Sequence, residues 1–354
     1  MPKSYVEPSI VGTPSLGVET PPSTISWQPF CDFVERHQRF LLVTHVRPDG
    51  DALGSEAAMA GVLRQKGKDV VIVNPSRTPD RFQFLDPGGR LLHFGGQVSA
   101  AELSRPPYAP IDAVVILDTS SWTQLGDMAD FIRASAAEKA VIDHHLSQDD
   151  LGAEVFKDTD AEAAGILVYH AALELQVEIT PEIADALFTA IATDTGWFRF
   201  ATVRAETFRI AARLVDFGAR PARLYPILFE EDSLGRLKLM GRALDRLTQS
   251  CGGRVAHTWV ELADYPATGA KPPDTEDLVN FTLSVAGTEV GLIFIEQLKG
   301  GVKISFRSRN GLDCRRLAEQ FGGGGHAQAA GATLSESLGE AVPRVLQAVA
   351  AKLG

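Results

Sequence analysis

Carboxylates and imidazoles recur in this sequence directly after short apolar runs. Phe40-Leu41-Leu42-Val43-Thr44 is followed by His45-Val46-Arg47-Pro48-Asp49-Gly50-Asp51, with Gly54 and Ser55 close behind. Ala113-Val114-Val115-Ile116-Leu117 leads into Asp118, and Ala140-Val141-Ile142 into Asp143-His144-His145. Further on, a helical pattern ends in Thr193-Asp194-Thr195-Gly196. Any one of these has an ordinary structural explanation. An aspartate after a strand commonly caps the next helix, and Pro-Asp-Gly-Asp is good turn sequence. Four such groups in one chain change that balance, because reactive groups in open parallel sheets collect beyond the carboxyl ends of the strands. Hard oxygen ligands combined with neutral imidazole suit Mn²⁺, with Mg²⁺ and Co²⁺ as alternatives. Holding two divalent ions ~3.5–4 Å apart requires several carboxylates, one of them shared. Such a pair of ions activates water at neutral pH and stabilises charge on a transferring phosphoryl group.

The elements that must position these groups can be read from the same runs. Buried strands are expected at 40–44, 70–73, 113–117 and 140–142, with a helix from Gly54 to Lys66 after the first. Continuous Val/Ile/Leu runs separated by helices point to a mainly parallel sheet covered on both faces. Helices are expected over about 161–176, 181–193 and 204–217, Pro181 after Thr180 suiting a first helical turn. Beyond Cys251-Gly252-Gly253 the texture changes. Val290–Leu298 and Val302–Arg307 flank Lys299-Gly300-Gly301, a hairpin signal, and a short helix from Asp313 to Phe321 precedes four glycines and His326. The expected layout is a flexible tail rich in Pro, Ser, Thr and Gly over 1–26, then an α/β catalytic domain over 27–231. A helical connector over 232–250 and a smaller mixed α/β domain over 251–354 complete it.

Composition narrows the class of partner. With a net charge of −11 and no long basic face, the chain is not suited to tracking along a long nucleic acid. No apolar run approaches the ~18–20 residues that span a bilayer, and the N-terminus lacks a signal-peptide layout. Cys31, Cys251 and Cys314 have neither zinc-ligand nor redox spacing and read as reduced thiols. A soluble, cytoplasmic protein is expected. The glycines at 322–325 lack the Gly-Lys-Ser/Thr ending of a P-loop, and by themselves suggest only a flexible loop. The adjacent His326, and Arg307 on an incoming strand, favour capture of a nucleotide, since arginine pairs bidentately with phosphate and histidine donates to phosphate or stacks on a base.

At these residues the sequence resembles the DHH/DHHA1 phosphoesterase family, in the branch of nanoRNases and pAp phosphatases. The resemblance runs from about Trp27 to the C-terminal region. Thr44-His45 through Ser55 resembles the first family motif, Asp118 the second, Asp143-His144-His145 the name-giving one and Asp194-Thr195-Gly196 the fourth. Arg307-Ser308, Gly322 through His326 and Ala329-Ala330-Gly331 resemble the DHHA1 signature. The resemblance implies that His45 and Asp49 bind one metal, Asp51 and His144 the other, that Asp118 bridges them and that Asp194 completes the set. It implies that His145 faces the substrate phosphate and that Asp143 orients an imidazole. Arg307, Ser308, Gly323, Gly324, Gly325 and His326 would grip the far end of the substrate.

The expected activity is hydrolysis of pAp to AMP and of 2–5-residue RNA to 5′-mononucleotides, with Mn²⁺ preferred and a homodimer allowed. A phosphodiesterase for pApA, pGpG or cyclic di-AMP is the first alternative, and a non-catalytic nucleotide sensor the alternative of a different class. A pyrophosphatase is disfavoured by the Gly-rich histidine motif. A processive exonuclease of the RecJ kind is disfavoured by the chain length and acidity.

Overall fold

The computed structural model describes residues 24–309, 311–325 and 327–353. The expected tail is therefore outside the described residues up to position 23, and so is His326. After Glu230 the chain divides into two compact units.

The first unit begins with α1 (Gln28–Arg36), β1 (Arg39–Val43), α2 (Gly50–Gln65), β2 (Asp69–Asn74) and β3 (Leu91–His93). It continues through α3 (Ala100–Leu103), β4 (Ala113–Leu117), α4 (Met128–Ala134), β5 (Glu138–Asp143) and β6 (Glu154–Lys157). Four helices close it, α5 (Ala164–Glu174), α6 (Pro181–Asp194), α7 (Ala205–Asp216) and α8 (Pro221–Phe229). All the strand pairings are parallel, in the order β3-β2-β1-β4-β5-β6. Side chains alternate across β1. Phe40 and Leu42 enter a core with Leu53, Met59 and Tyr169, while Leu41 and Val43 enter another with Ile116, Met128 and Ile132. Burial on both faces is why these strands read as unbroken apolar runs.

The chain leaves β1 toward one edge through β2 and β3, then returns to β4 on the other side of β1. The reversal point lies between β1 and β4, where an open sheet leaves a crevice beyond its strand ends.

Helix α2 starts four residues earlier than the helix expected from Gly54. Asp49 caps it, its carboxylate accepting from the Asp51 and Ala52 amides at 3.0 and 3.1 Å. What reads as a turn is thus the first turn of the helix. At Gly54, α2 lies so close to α6 that a β-carbon would come 2.5 Å from the Ala186 carbonyl oxygen. The pairing brings the start of α2, with Asp51, to the end of α6, with Asp194.

The second unit comprises α9 (Leu234–Asp245), β7 (Thr248–Ser250), β8 (Val255–Val260), α10 (Asp264–Thr268), α11 (Val279–Thr282) and β9 (Val290–Glu296). These are followed by β10 (Val302–Ser308), α12 (Cys314–Glu319), β11 (Gly324–Gly325), β12 (Ala329–Leu334) and α13 (Leu338–Leu353). Its mixed sheet has the order β11-β12-β10-β9-β8-β7. The expected hairpin is present as the antiparallel pair β9–β10. Leu239 and Ala243 of α9 pack with Val260, Ile293 and Ile295, so this helix belongs to the core of the second unit. Ala341, Val345 and Val349 of α13 pack against β9, β10 and β12 residues in a separate core.

Candidate metal centre

The loop after β1, the residue after β4 and the residues after β5 meet at the sheet's reversal point, and the helix ends of α2 and α6 join them. Among the described residues, three sets of candidate ligand atoms each lie within 4.8 Å of one another. These are His45, Asp49 and Asp118; Asp51, His144 and Asp194; and Asp118, His144 and His145. Asp118 belongs to the first and third of these. Its Oδ2 lies 3.4 Å from His45 Nε2 and its Oδ1 3.4 Å from His144 Nε2. His144 Nε2 is also 3.6 Å from both Asp51 Oδ2 and Asp194 Oδ2.

Both imidazoles are oriented by backbone. Nδ1 of His45 donates to the Val46 carbonyl at 3.0 Å, and Nδ1 of His144 to the Ala161 carbonyl at 3.0 Å. That fixes Nε2 as the nitrogen facing the carboxylates in each ring. Asp51 is held by the start of α5, accepting from the Ala164 and Gly165 amides at 2.6 and 2.9 Å and from Ser55 Oγ at 3.1 Å. Asp118 has φ of 59°, a left-handed conformation that a non-glycine residue adopts at a cost of about 1–3 kcal/mol.

The electrostatics of the cluster follow from burial and crowding. Burial, with the charges of Asp118 and Asp194, pushes Asp51 well above the usual carboxylate range. Burial also raises Asp194 to about 7 and raises Asp49. Burial alone would lower His45 and His144. The Asp118 carboxylate facing each ring at 3.4 Å outweighs it, lifting them to about 9 and about 10. Burial also opposes ionisation of Asp118, but His144 and His45 hold it below its ordinary value. Among the described residues, Asp118 Oδ1 is buried without a hydrogen-bond partner. Crowded carboxylates with proton-bearing imidazoles fit a divalent cation, since carboxylate oxygen and imidazole nitrogen are the donors that Mn²⁺ and Mg²⁺ accept.

His145 is differently placed. Its Nδ1 donates to Asp143 Oδ1 at 2.8 Å, which raises its pKa and leaves Nε2 as its remaining ring donor. Asp143 is fully buried, and its other oxygen accepts from Ser120 Oγ at 2.6 Å and Lys157 Nζ at 3.0 Å. Burial alone would raise Asp143; the hydrogen bonds from His145 and Ser120 hold it below the ordinary range.

All eight residues expected at the centre are thus brought together. The residues expected to grip substrate belong to the second unit. Arg307, at the end of β10, donates from Nε to Asn280 Oδ1 at 3.2 Å. The Ser308 hydroxyl is turned inward, donating to the Leu312 carbonyl at 2.7 Å. Gly324 and Gly325 form the edge strand β11 opposite Gly331 and Ala330, and Gly323 lies against the Gly331 carbonyl, where a β-carbon would not fit.

Sequence reasoning did not find Lys157, Ser120 or the buried pair Glu56–Asn74. Lys157 faces Asp143 in register across β5 and β6, a signal visible only once β6 is known. Asn74 donates to Glu56 Oε2 at 2.7 Å and accepts from the Thr44 amide at 3.0 Å, holding the backbone just before His45. Burial raises Glu56 to about 8. His37, His93, His170 and His257 enter none of the three sets. Trp197 and Phe198 pack against the core rather than into the centre, Trp197 also meeting Tyr225 and Phe229.

Residues 39–191 match the model of the DHH family N-terminal domain, and residues 240–354 match the DHHA1 domain. The bifunctional oligoribonuclease and PAP phosphatase NrnA of Thermus thermophilus is 33% identical over 321 residues, covering 88% of this chain and 89% of that protein. The chain belongs to the DHH family. The NrnA of Bacillus subtilis is 25% identical over 304 residues, covering 85% of this chain and 91% of that protein. The crystal structure of an exopolyphosphatase-related protein from Bacteroides fragilis superposes with a TM-score of 0.84 at 26% identity. It covers 92% of this chain and 95% of that one. The eight residues described above lie in or just beyond the DHH domain, with Asp194 three residues past the matched segment. Arg307 and the glycine strand lie in the DHHA1 domain.

Proposed function

We propose that this chain hydrolyses short oligoribonucleotides to 5′-mononucleotides and pAp to AMP, in the cytoplasm, with two divalent ions, preferably Mn²⁺. The observation that carries the reading is the sharing of Asp118 between two imidazole–carboxylate sets, in a chain one-third identical to an oligoribonuclease and PAP phosphatase. His45 and Asp49 would hold one ion, Asp51, His144 and Asp194 the other, with Asp118 common to both. When bound, such ions activate water at neutral pH and neutralise charge developing on the phosphoryl group.

The remaining chemistry falls to this chain's own side chains. Asp143 raises the proton affinity of His145 and turns the ring so that Nε2 is free to donate. That proton can go to a phosphate oxygen or to the departing ribose oxygen. Ser120 and Lys157 anchor Asp143, so the imidazole is held rather than floating. Arg307 supplies a cation for a distal phosphate, and a net charge of −11 makes a long polyanion a poor ligand.

Purified protein with Mn²⁺ tests the reading when offered pAp, di- to pentaribonucleotides, pApA, pGpG, cyclic di-AMP and pyrophosphate side by side. AMP release from pAp together with complete degradation of the short RNAs supports it. Turnover confined to pGpG or cyclic di-AMP would instead make this a signalling-dinucleotide phosphodiesterase. Full metal occupancy with no turnover of any of them would leave a nucleotide sensor.

A further inference from the structure

Beside the metal centre, and entirely within the first unit, lies a cavity of about 550 Å³ whose lining includes His144, Glu162, Asp194, Phe200, Thr202 and Arg204. Its volume is that of a small-molecule pocket. Two of its walls, His144 and Asp194, are candidate metal ligands, so whatever fills it is adjacent to the group being cut.

The walls suit a flat, uncharged group. Phe200 is 49% exposed. Its ring lies on the backbone of Gly196, where a β-carbon would come 2.5 Å from the ring. The turn after Asp194 therefore holds the ring as a fixed platform. Arg199 lies over the Phe200 ring at 5.8 Å from its centroid, and Arg204 lines the cavity with its charge already matched. Nε and Nη2 donate to Glu162 Oε1 and Oε2 at 2.9 and 3.1 Å, and Nη2 also to the Asp160 carbonyl at 2.8 Å. Glu162 is buried and additionally accepts from Thr207 Oγ1 at 2.7 Å. A guanidinium pinned in this way presents a planar surface and cannot swing out to follow a phosphate. Asp160, Glu162 and Asp194 all stand around the cavity, which makes it a poor site for a second anion.

We infer that this cavity is a nucleobase pocket. The base of the nucleotide whose phosphate lies at the metal centre stacks on Phe200, with the fixed guanidinium of Arg204 as a second planar wall. The inference rests on the phosphoesterase reading of the centre. Every base offers a π-face, so such a platform accepts all four bases and suits an enzyme that degrades fragments of any sequence.

Binding of adenosine 5′-monophosphate and of ribose 5-phosphate to the Mn²⁺-loaded full chain separates the base from the rest of the ligand. One stacked base is worth about tenfold to a hundredfold in affinity. Phe200→Ala is expected to weaken AMP by that factor while leaving ribose 5-phosphate and Mn²⁺ affinity unchanged, and Phe200→Tyr to restore AMP. AMP binding that is absent from the wild type, or indifferent to Phe200→Ala, overturns the inference. Equal loss of both ligands together with loss of Mn²⁺ affinity also overturns it, because the ring would then only prop the Asp194 turn. Failure of the parent reading looks different: AMP would bind and depend on Phe200, while pAp and short RNAs stayed uncut.

Discussion

Metal affinity should climb steeply with pH, because the metal-free centre holds protons that a cation must displace. His45 and His144 stand at about 9 and about 10, since burial, which would lower them, is outweighed by Asp118. Each Nε2 must lose its proton to coordinate. Below pH 9 both rings are charged, so each unit rise in pH should raise the logarithm of the binding constant by about two. From pH 7 to 8.5 that is about three orders of magnitude, or about 4 kcal/mol. Below pH 7, Asp194, raised to about 7, adds part of a third proton. The stability of the metal-free fold runs the opposite way. Glu56 and the two imidazoles bind protons more tightly folded than unfolded. Their contribution is therefore lost as pH rises through about 8 and then about 9 to 10. The gap in Tm between Mn²⁺-loaded and EDTA-treated protein should accordingly widen from pH 6.5 to 8.5. Calorimetric Mn²⁺ titration in buffers of different ionisation heat reads both the slope and the protons released. A flat slope with no proton release would refute the assignment of these two imidazoles as ligands facing Asp118.

Asp118→Ala is expected to abolish turnover and lower bound metal by elemental analysis, since both sets lose their common carboxylate; normal activity at full occupancy would exclude a shared ligand. His144→Ala should weaken Mn²⁺ binding and be partly rescued by excess metal. His145→Ala should bind metal normally and lose about 1.5–3 kcal/mol of transition-state stabilisation, seen in kcat; the reverse pattern would exchange their roles. Arg307→Ala should reduce kcat/KM for pAp and short RNAs about tenfold to a hundredfold while sparing bis-p-nitrophenyl phosphate, which has no distal phosphate; equal losses on both would move Arg307 to a structural role. Gly54→Ala should cost about 1–3 kcal/mol in denaturant unfolding, because its methyl group meets the α6 backbone; an unchanged midpoint would mean the helices separate freely.

The central strands were legible because they are buried on both faces, which leaves no polar alternation to obscure them. The edges were not. Strand β6 has the burial order exposed, exposed, buried, intermediate, and so gives no apolar run. Missing β6 also meant missing Lys157, the ammonium that anchors Asp143. Strand β11 consists of two glycines, which carry no pattern at all, so the second half of the run that suggested a flexible loop is sheet edge. The clustered acids and imidazoles stood out in sequence because such residue types are costly to bury without a purpose. Their scaffolding did not, for a definite reason. Helix α5 begins after Ala163, which offers no capping side chain. The cap is Asp51, 113 and 114 residues earlier in sequence than the amides it accepts from. No local window contains that interaction.

Asp51 also shows how far the fold has been shaped against its own stability. Two helix-terminal amides and Ser55 hydrogen-bond its carboxylate, which should favour the ionised form. Burial beside Asp118 and Asp194 nevertheless wins and drives its pKa up. Asp118 adds a strained backbone to a buried oxygen without a hydrogen-bond partner among the described residues, at the reversal point of the sheet. Such strain persists only where the surroundings over-determine it. Here they do so through the β1, β4 and β5 strands, each buried on both sides, and through an α2–α6 contact too close for a β-carbon. A cation placed among these carboxylates would turn their mutual repulsion into attraction and release the protons now compensating it. The sheet is rigid where a divalent ion needs preorganised ligands. The energy that holds an unfavourable cluster of acids together comes from the apolar packing behind it.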